Sequence, residues 1–384
     1  MKILLVSTSS GSRGGGELCL LYLGRALRDR GHCVTLWVSR HPRMDELAAR
    51  FGEFGEITRA DYTNTYDRRG RSIASYFDSA TANRVAAQWQ EMGPDVIHLN
   101  KQNLEDGLDL VEAVRRCAIP ALVMIHITQS ASYLQAQFAT VRDFIARRAL
   151  RRFPGLWVTT PESRRRDLAR FLGDADRVRV VANGVPIPNL AGHGASREEV
   201  RRELHVAEEQ LLVVAVGRMV PQKRPLLFLE TAARIHAQIQ HARFLWIGDG
   251  ALANAWDEWI ADHKIGHVVQ RLPWREDVPR LLNAADVFVH VAEFEGLAFA
   301  ILEALAAGLP CAITPNLLAE MPFLDAHNSI SIEPGDEWIR QLQDRNQLGA
   351  MGRAAGRLAA EQFSFSRMAA DYEALYREAI DSRR

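Results

Sequence analysis

Lysine is nearly missing from this chain of 384 residues. Lys2, Lys101, Lys223 and Lys264 are the only four among 47 basic residues, and all the others are arginine. A lysine is rare enough here that each one has a setting worth reading. Cysteine is also sparse. Cys19, Cys33, Cys117 and Cys311 form neither a CxxC pair nor a Cys/His cluster, which argues against a zinc site or a disulfide framework. Each sits among apolar neighbours, so buried free thiols in a reducing compartment are expected. No apolar run reaches the ~18 residues that would span a bilayer. The opening Met1–Val6 is too short for a signal segment and reads as a first strand. A cytoplasmic protein is expected, with membrane association at the cytoplasmic face as an option. Net charge is absent as well: 47 basic residues offset 47 acidic ones, so no global field draws in nucleic acid. A strand–GxGxxG–helix unit with a following acidic residue is missing too, which disfavours an NAD-dependent oxidoreductase.

What is present is an alternation of short apolar runs with longer amphipathic ones. Strands are expected at Ile3–Ser7, Val34–Val38, Val96–Leu99, Ala121–His126, Leu156–Thr159 and Val178–Ala182, with helices between them such as Glu17–Arg28 and Leu104–Arg116. This is the βαβ pattern of a parallel sheet covered on both faces. The stretch 52–76 is irregular. At Asn183-Gly184-Val185-Pro186 the texture turns to linker chemistry. A second series then begins, with strands at Leu211–Val216, Arg243–Ile247, Val268–Leu272, Val287–Val291, Cys311–Thr314 and Ser329–Ile332. The chain therefore divides into a Rossmann-like domain 1–183, a linker 184–196, a second Rossmann-like domain 197–363 and a terminal helix 364–384. In that helix Phe365, Met368, Tyr372, Leu375, Tyr376 and Ile380 recur every three or four residues as one buried stripe.

Three stretches could carry chemistry. Ser9–Gly16 ends in Gly14-Gly15-Gly16 at a helix start, where free N–H groups favour phosphate, although on its own an ordinary tight βα turn is the plainer reading. Gly217-Arg218-Met219-Val220-Pro221-Gln222-Lys223 follows the most apolar strand of the second half. Ligands in open α/β sheets bind at the carboxyl ends of strands. Arg218 as a planar fork and Lys223 as a point charge there suit a diphosphate. Glu293-Phe294-Glu295-Gly296-Leu297-Ala298 leads into an apolar helix of roughly 298–307, stopped by Gly308 and Pro310. Glu303 lies on that helix, and a carboxylate there needs donors, such as sugar hydroxyls or an arginine.

Other features read more plainly. His98 and His126 end apolar strands, where hydrogen-bonded core histidines are the default, yet both fall where a ligand would sit. Asp174-Ala175-Asp176 is a DxD placed before a strand rather than after one, and is read as turn chemistry. The stretch 142–170 holds nine arginines against three acids. It is either a solvated helix face or a contact for an anionic membrane or acceptor.

Taken together these residues resemble glycosyltransferase family 4, the retaining enzymes of the GT-B fold, over nearly the whole chain. Gly14-Gly15-Gly16-Glu17 and Gly31-His32 match its amino-terminal pattern, and Asn183-Gly184-Val185 its interdomain turn. Gly217-Arg218 with Lys223 matches its phosphate motif, Gly248-Asp249-Gly250 its next βα loop, and Glu295 with Glu303 its paired glutamates. Ala298 stands where the family often has glycine, and His290–Ala292 where it often has Pro-Ser.

The resemblance implies two Rossmann-like domains facing each other across a cleft, with the terminal helix crossing back to the first. It implies a metal-independent hexosyltransferase of bacterial-type glycan biosynthesis. No cofactor is expected beyond a nucleotide-sugar co-substrate, with UDP-sugar favoured over GDP-sugar. The acceptor would be a glycan, a lipid-linked sugar or a small molecule. In this reading Arg218 and Lys223 hold the diphosphate and Glu303 the ribose. Glu295 faces the donor sugar, and amides after Gly296, at Leu297 and Ala298, reach its phosphate. Gly217, Gly248 and Gly250 shape the donor loops. Gly15 and Gly16 close over the diphosphate from the other domain, and His126 lies near the sugar and the acceptor. The alternatives are a non-catalytic GT-B partner subunit and, further off, the NAD-dependent oxidoreductase.

Overall fold

The computed structural model describes residues 1–187 and 197–382. It separates into two compact units, Met1–Gly184 with Phe365–Arg384, and Val185–Ser364. Most of the expected 184–196 linker falls on 188–196, outside the described residues, as do Arg383 and Arg384 of the expected helix 364–384.

The first unit is a seven-stranded parallel sheet in the order β3-β2-β1-β4-β5-β6-β7. The strands are β1 (Lys2–Ser7), β2 (Cys33–Ser39), β3 (Glu56–Ala60), β4 (Val96–Asn103), β5 (Ala121–Ile127), β6 (Leu156–Thr159) and β7 (Val178–Val180). Both faces are covered. Leu4, Val6, Ile97 and Leu99 enter one core, while Ile3, Leu5, Val96 and Leu122 enter the other. Side chains alternate across a strand, so burying both faces demands the unbroken apolar runs seen in the sequence. The terminal helix Phe365–Asp381 belongs to this unit, and Met368, Tyr372, Leu375 and Tyr376 lie in the second of these cores.

The second unit is a six-stranded parallel sheet in the order β10-β9-β8-β11-β12-β13. Its strands are β8 (Leu211–Val216), β9 (Ala242–Ile247), β10 (Val269–Leu272), β11 (Val287–His290), β12 (Cys311–Ile313) and β13 (Ser329–Ser331). In both sheets the strand order reverses direction at one place, between β1 and β4 and between β8 and β11. Crevices at the carboxyl ends of such reversals are where open α/β sheets take ligands.

Three sequence expectations need correcting. Cys33 is exposed, unlike the other three thiols, because it opens β2 and pairs in register with the exposed Lys2 at the amino edge of the sheet. β4 continues through Asn100-Lys101-Gln102-Asn103, so His98 lies within the strand and not at its end. The helix expected from Leu104 accordingly starts at Leu108. Among the described residues no helix is long and apolar enough to cross a membrane.

Candidate functional site

At the reversal of the second sheet, the turn after β8 carries Gly217, Arg218 and Lys223, and the turn after β11 carries Glu293 to Ala298. The turns are tied by backbone and amide bonds. Glu293 N donates to Gln222 O at 2.8 Å, and Gln222 Nε2 donates to Phe294 O at 3.0 Å. Lys223 Nζ donates to Glu295 Oε1, and His290 Nε2 lies 3.2 Å from the same oxygen. Glu295 and His290 are both buried. Burial alone would push the Glu295 carboxyl up, but the Lys223 charge and the His290 hydrogen bond outweigh it and hold it at about 2. Burial lowers His290 despite the neighbouring carboxylate, so a neutral ring donates Nε2–H to an ionised Glu295 that also faces a lysine ammonium.

Glycine is required behind this cluster. Gly248 has φ +134°, and a Cβ there would strike the Gly217 carbonyl, while one on Gly250 would strike the backbone of Met219. Trp246 Nε1 donates to Gly217 O at 3.0 Å, and Met219 N donates to Asp249 O at 2.8 Å. Gly248 and Gly250 thus brace the Gly217–Met219 turn from beneath. Arg218 is exposed on that turn, with no ion pair among the described residues. Gly296 and the buried Leu297 lead to Ala298, which caps the helix Phe299–Ala306 in extended conformation, its carbonyl accepting from Ile301 N at 3.1 Å and from Leu302 N at 3.3 Å. Glu303 is buried on that helix.

At the reversal of the first sheet a second polar cluster forms. Ser7 pairs in register with Asn100 across β1 and β4. Asn100 Nδ2 donates to Gly16 O at 3.2 Å, and Asn100 Oδ1 lies 2.8 Å from His126 Nε2. Gln102 Nε2 donates to Ser9 Oγ at 2.6 Å and to Glu17 Oε1 at 3.2 Å. A Cβ on Gly16 would collide with Gln102, so this glycine permits the close approach. Gly15 is exposed, at the first position of the helix Gly15–Asp29. Burial lowers His126 to about 4 in spite of Asp106. The other rare lysine of interest, Lys101, is fully buried beside Asp106 at 3.3 Å.

Sequence reasoning missed His290, Asn100 and Gln102. His290 was visible only as a departure from a family pattern. Asn100 and Gln102 were hidden because the apolar run ends at Leu99. His98 is not part of either cluster: its Nδ1 lies 2.8 Å from the Tyr376 hydroxyl beneath the terminal helix. Asp174 pairs with Arg177 at 2.6 Å, ahead of β7, in agreement with turn chemistry.

Residues 13–187 match the family described as Glycosyltransferase Family 4, and residues 210–344 match Glycosyl transferases group 1. The chain belongs to the family 4 glycosyltransferases. The two-sheet architecture is the GT-B fold of these enzymes. A family 4 relative, the UDP-Gal:alpha-D-GlcNAc-diphosphoundecaprenol alpha-1,3-galactosyltransferase of Escherichia coli, is 35% identical over 192 residues, 45% of this chain and 49% of that protein. The chain thus spans about half the length of that curated relative. The N-acetyl-alpha-D-glucosaminyl L-malate synthase of Bacillus anthracis is 24% identical over 99% of this chain and 98% of its own. Among solved structures, Anabaena HepE in complex with UDP-glucose shares the fold at a TM-score of 0.77 and 20% identity, each chain covered in full.

Proposed function

We propose that this family 4 member is a retaining, metal-independent glycosyltransferase that moves a sugar from a UDP-sugar to a hydroxyl of a lipid-linked glycan. The observation that carries the proposal is the Lys223–Glu295–His290 cluster at the strand-order reversal of the second sheet. A lysine already desolvated against a carboxylate is placed to exchange that partner for a donor diphosphate. As the sugar–phosphate bond breaks, negative charge grows on the leaving diphosphate. Lys223, Arg218 and the amides from Leu297 and Ala298 would meet it there. Glu295, released from Lys223, would then accept from hydroxyls of the donor sugar, and Glu303 from those of the ribose. His126 would stand near the sugar and the acceptor, and Gly15 and Gly16 near the diphosphate.

The UDP-sugar preference draws on the UDP-galactose and UDP-glucose in the names of the E. coli relative and the Anabaena structure. The lipid-linked acceptor draws on the diphosphoundecaprenol of that relative. The test is a thermal-shift screen against UDP-, GDP-, ADP- and dTDP-sugars, followed by NMR of the product. Binding to the native state alone raises stability by about 2.7 kcal/mol at a hundredfold excess over the dissociation constant. Stabilisation by UDP-sugars and an unchanged anomeric configuration are expected. An inverted product, or donor binding without turnover on any acceptor, overturns the assignment.

A further inference from the structure

The large apolar side chains left exposed among the described residues are not scattered. Apart from Val180, all lie in two segments of the first unit, 66–77 and 133–144. Phe138 is 79% exposed, Phe77 71% and Phe144 64%. The segments adjoin, because the helix Arg71–Phe77 packs on the helix Ala139–Arg151 and Arg148 Nε donates to the Tyr76 hydroxyl. On the second helix Val141, Phe144, Arg148 and Arg151 are spaced three, four and three residues apart, so one outward face is apolar at its start and cationic at its end.

The local acids do not offset these cations. Glu105 pairs with Arg142, Asp78 and Asp109 pair with Arg68, and Asp143 accepts from the amides of Ala131 and Ser132. Arg147, Arg148, Arg151 and Arg152 are all exposed and have no acidic partner among the described residues. The nine arginines of 142–170 are therefore not one surface: Arg164 and Arg165 pair with Asp167 and Glu162 on another helix.

We infer that this face seats the chain on an anionic lipid bilayer, with Phe77, Phe138 and Phe144 entering the headgroup region and the arginine row against lipid phosphates. Arg147 lies over the Phe171 ring and Arg151 Nε donates to Leu172 O, so these arginines are positioned but not neutralised, and exposed aromatics beside such cations are the pairing that an interfacial helix uses. A second copy of this chain fits the face poorly, since a two-fold contact would bring the same arginines together. The inference stands on this surface and does not depend on which sugar the chain transfers.

The test is flotation of the full chain with vesicles of phosphatidylcholine alone or mixed with phosphatidylglycerol, at low and high salt. Binding to the mixed vesicles at low salt is expected, weakened by salt. Phe138→Ser with Phe144→Ser should lower it at least tenfold. Arg148→Gln with Arg152→Gln should lower it roughly 30-fold and flatten the salt dependence. Circular dichroism melting checks that each variant folds. Should the serine pair unfold, Phe144→Trp decides: quenching by lipids with brominated chains supports the inference, and unchanged emission overturns it. No flotation at low salt, or flotation indifferent to both pairs, overturns it as well. So does a concentration-dependent dimer that the serine pair abolishes without any vesicle binding.

Discussion

His126 Nε2 lies 2.8 Å from Asn100 Oδ1, and the same asparagine gives its amide nitrogen to the carbonyl of Gly16. That second bond settles the direction of the first. The Asn100 oxygen can only accept, so the His126 proton sits on Nε2 and the lone pair on Nδ1. A glycine at the start of one helix thereby fixes the tautomer of a histidine two strands away.

Asn100→Ala should leave both the Gly16 carbonyl and His126 without their partner. A buried polar group so orphaned costs roughly 2 kcal/mol of stability, and turnover should fall as the ring loses its fixed tautomer. Asn100→Asp should restore part of the rate and raise the His126 pKa. The 15N shifts of the ring report the tautomer directly. Wild-type ring shifts in the alanine variant would remove Asn100 from this role.

Acid stability follows from two histidines, His98 buried and His126 half-buried. Burial holds His98 at about 3 and His126 at about 4, both below the ordinary 6.5. The unfolded chain therefore binds more protons than the native one as pH falls below 6.5, and stability drops. By pH ~5 each histidine should remove about 2 kcal/mol. Urea unfolding at several pH values measures this, and His98→Gln should flatten the slope between pH ~6.5 and ~5.

Lys223→Ala should cost roughly 2–3 kcal/mol of transition-state stabilisation, about 30- to 150-fold in rate. It also frees Glu295 from the charge that holds it near 2, so the acid limb of the rate profile should move to higher pH. Activity should persist in excess EDTA. Its loss there, restored by magnesium or manganese, would assign the leaving-group charge to an ion.

Glu303→Gln keeps the size of the side chain but weakens bonds accepted from hydroxyls, each worth roughly 1.5–3 kcal/mol. Donor affinity by calorimetry should fall at least tenfold while the melting temperature holds. Unchanged affinity would take Glu303 out of the donor site.

Sequence pattern reached most strands because a parallel sheet covered on both faces leaves uninterrupted apolar runs. It failed where that physics is relaxed. β3, Glu56–Ala60, is an edge strand whose sequence EITRA is mostly polar and only half buried. The end of β4 was lost because Asn100, Lys101 and Gln102 are polar, yet Asn100 and Gln102 are hydrogen-bonded within the fold and Lys101 lies buried against Asp106. Of the charged members of the second-sheet cluster, Lys223 stood out by rarity and setting, and Glu295 through the family resemblance. Their direct pairing did not, since it depends on two turns 72 residues apart. His290 carried no signal of its own at the end of an apolar strand.

The terminal helix has a consequence for biosynthesis. Met368, Tyr372 and Tyr376 complete the core around β1, β4 and β5, and the Tyr376 hydroxyl meets His98 Nδ1, yet these residues emerge from the ribosome only after the whole second unit. Most of the first unit is made first, but part of one face of its sheet stays uncovered until the second unit has been made. The second unit is continuous in sequence, from Val185 to Ser364, and can close while still tethered. Domains commonly fold as units from the amino terminus onward; here the order is reversed, and a nascent chain arrested before Phe365 would display the apolar strip beneath the missing helix to the chaperones around it.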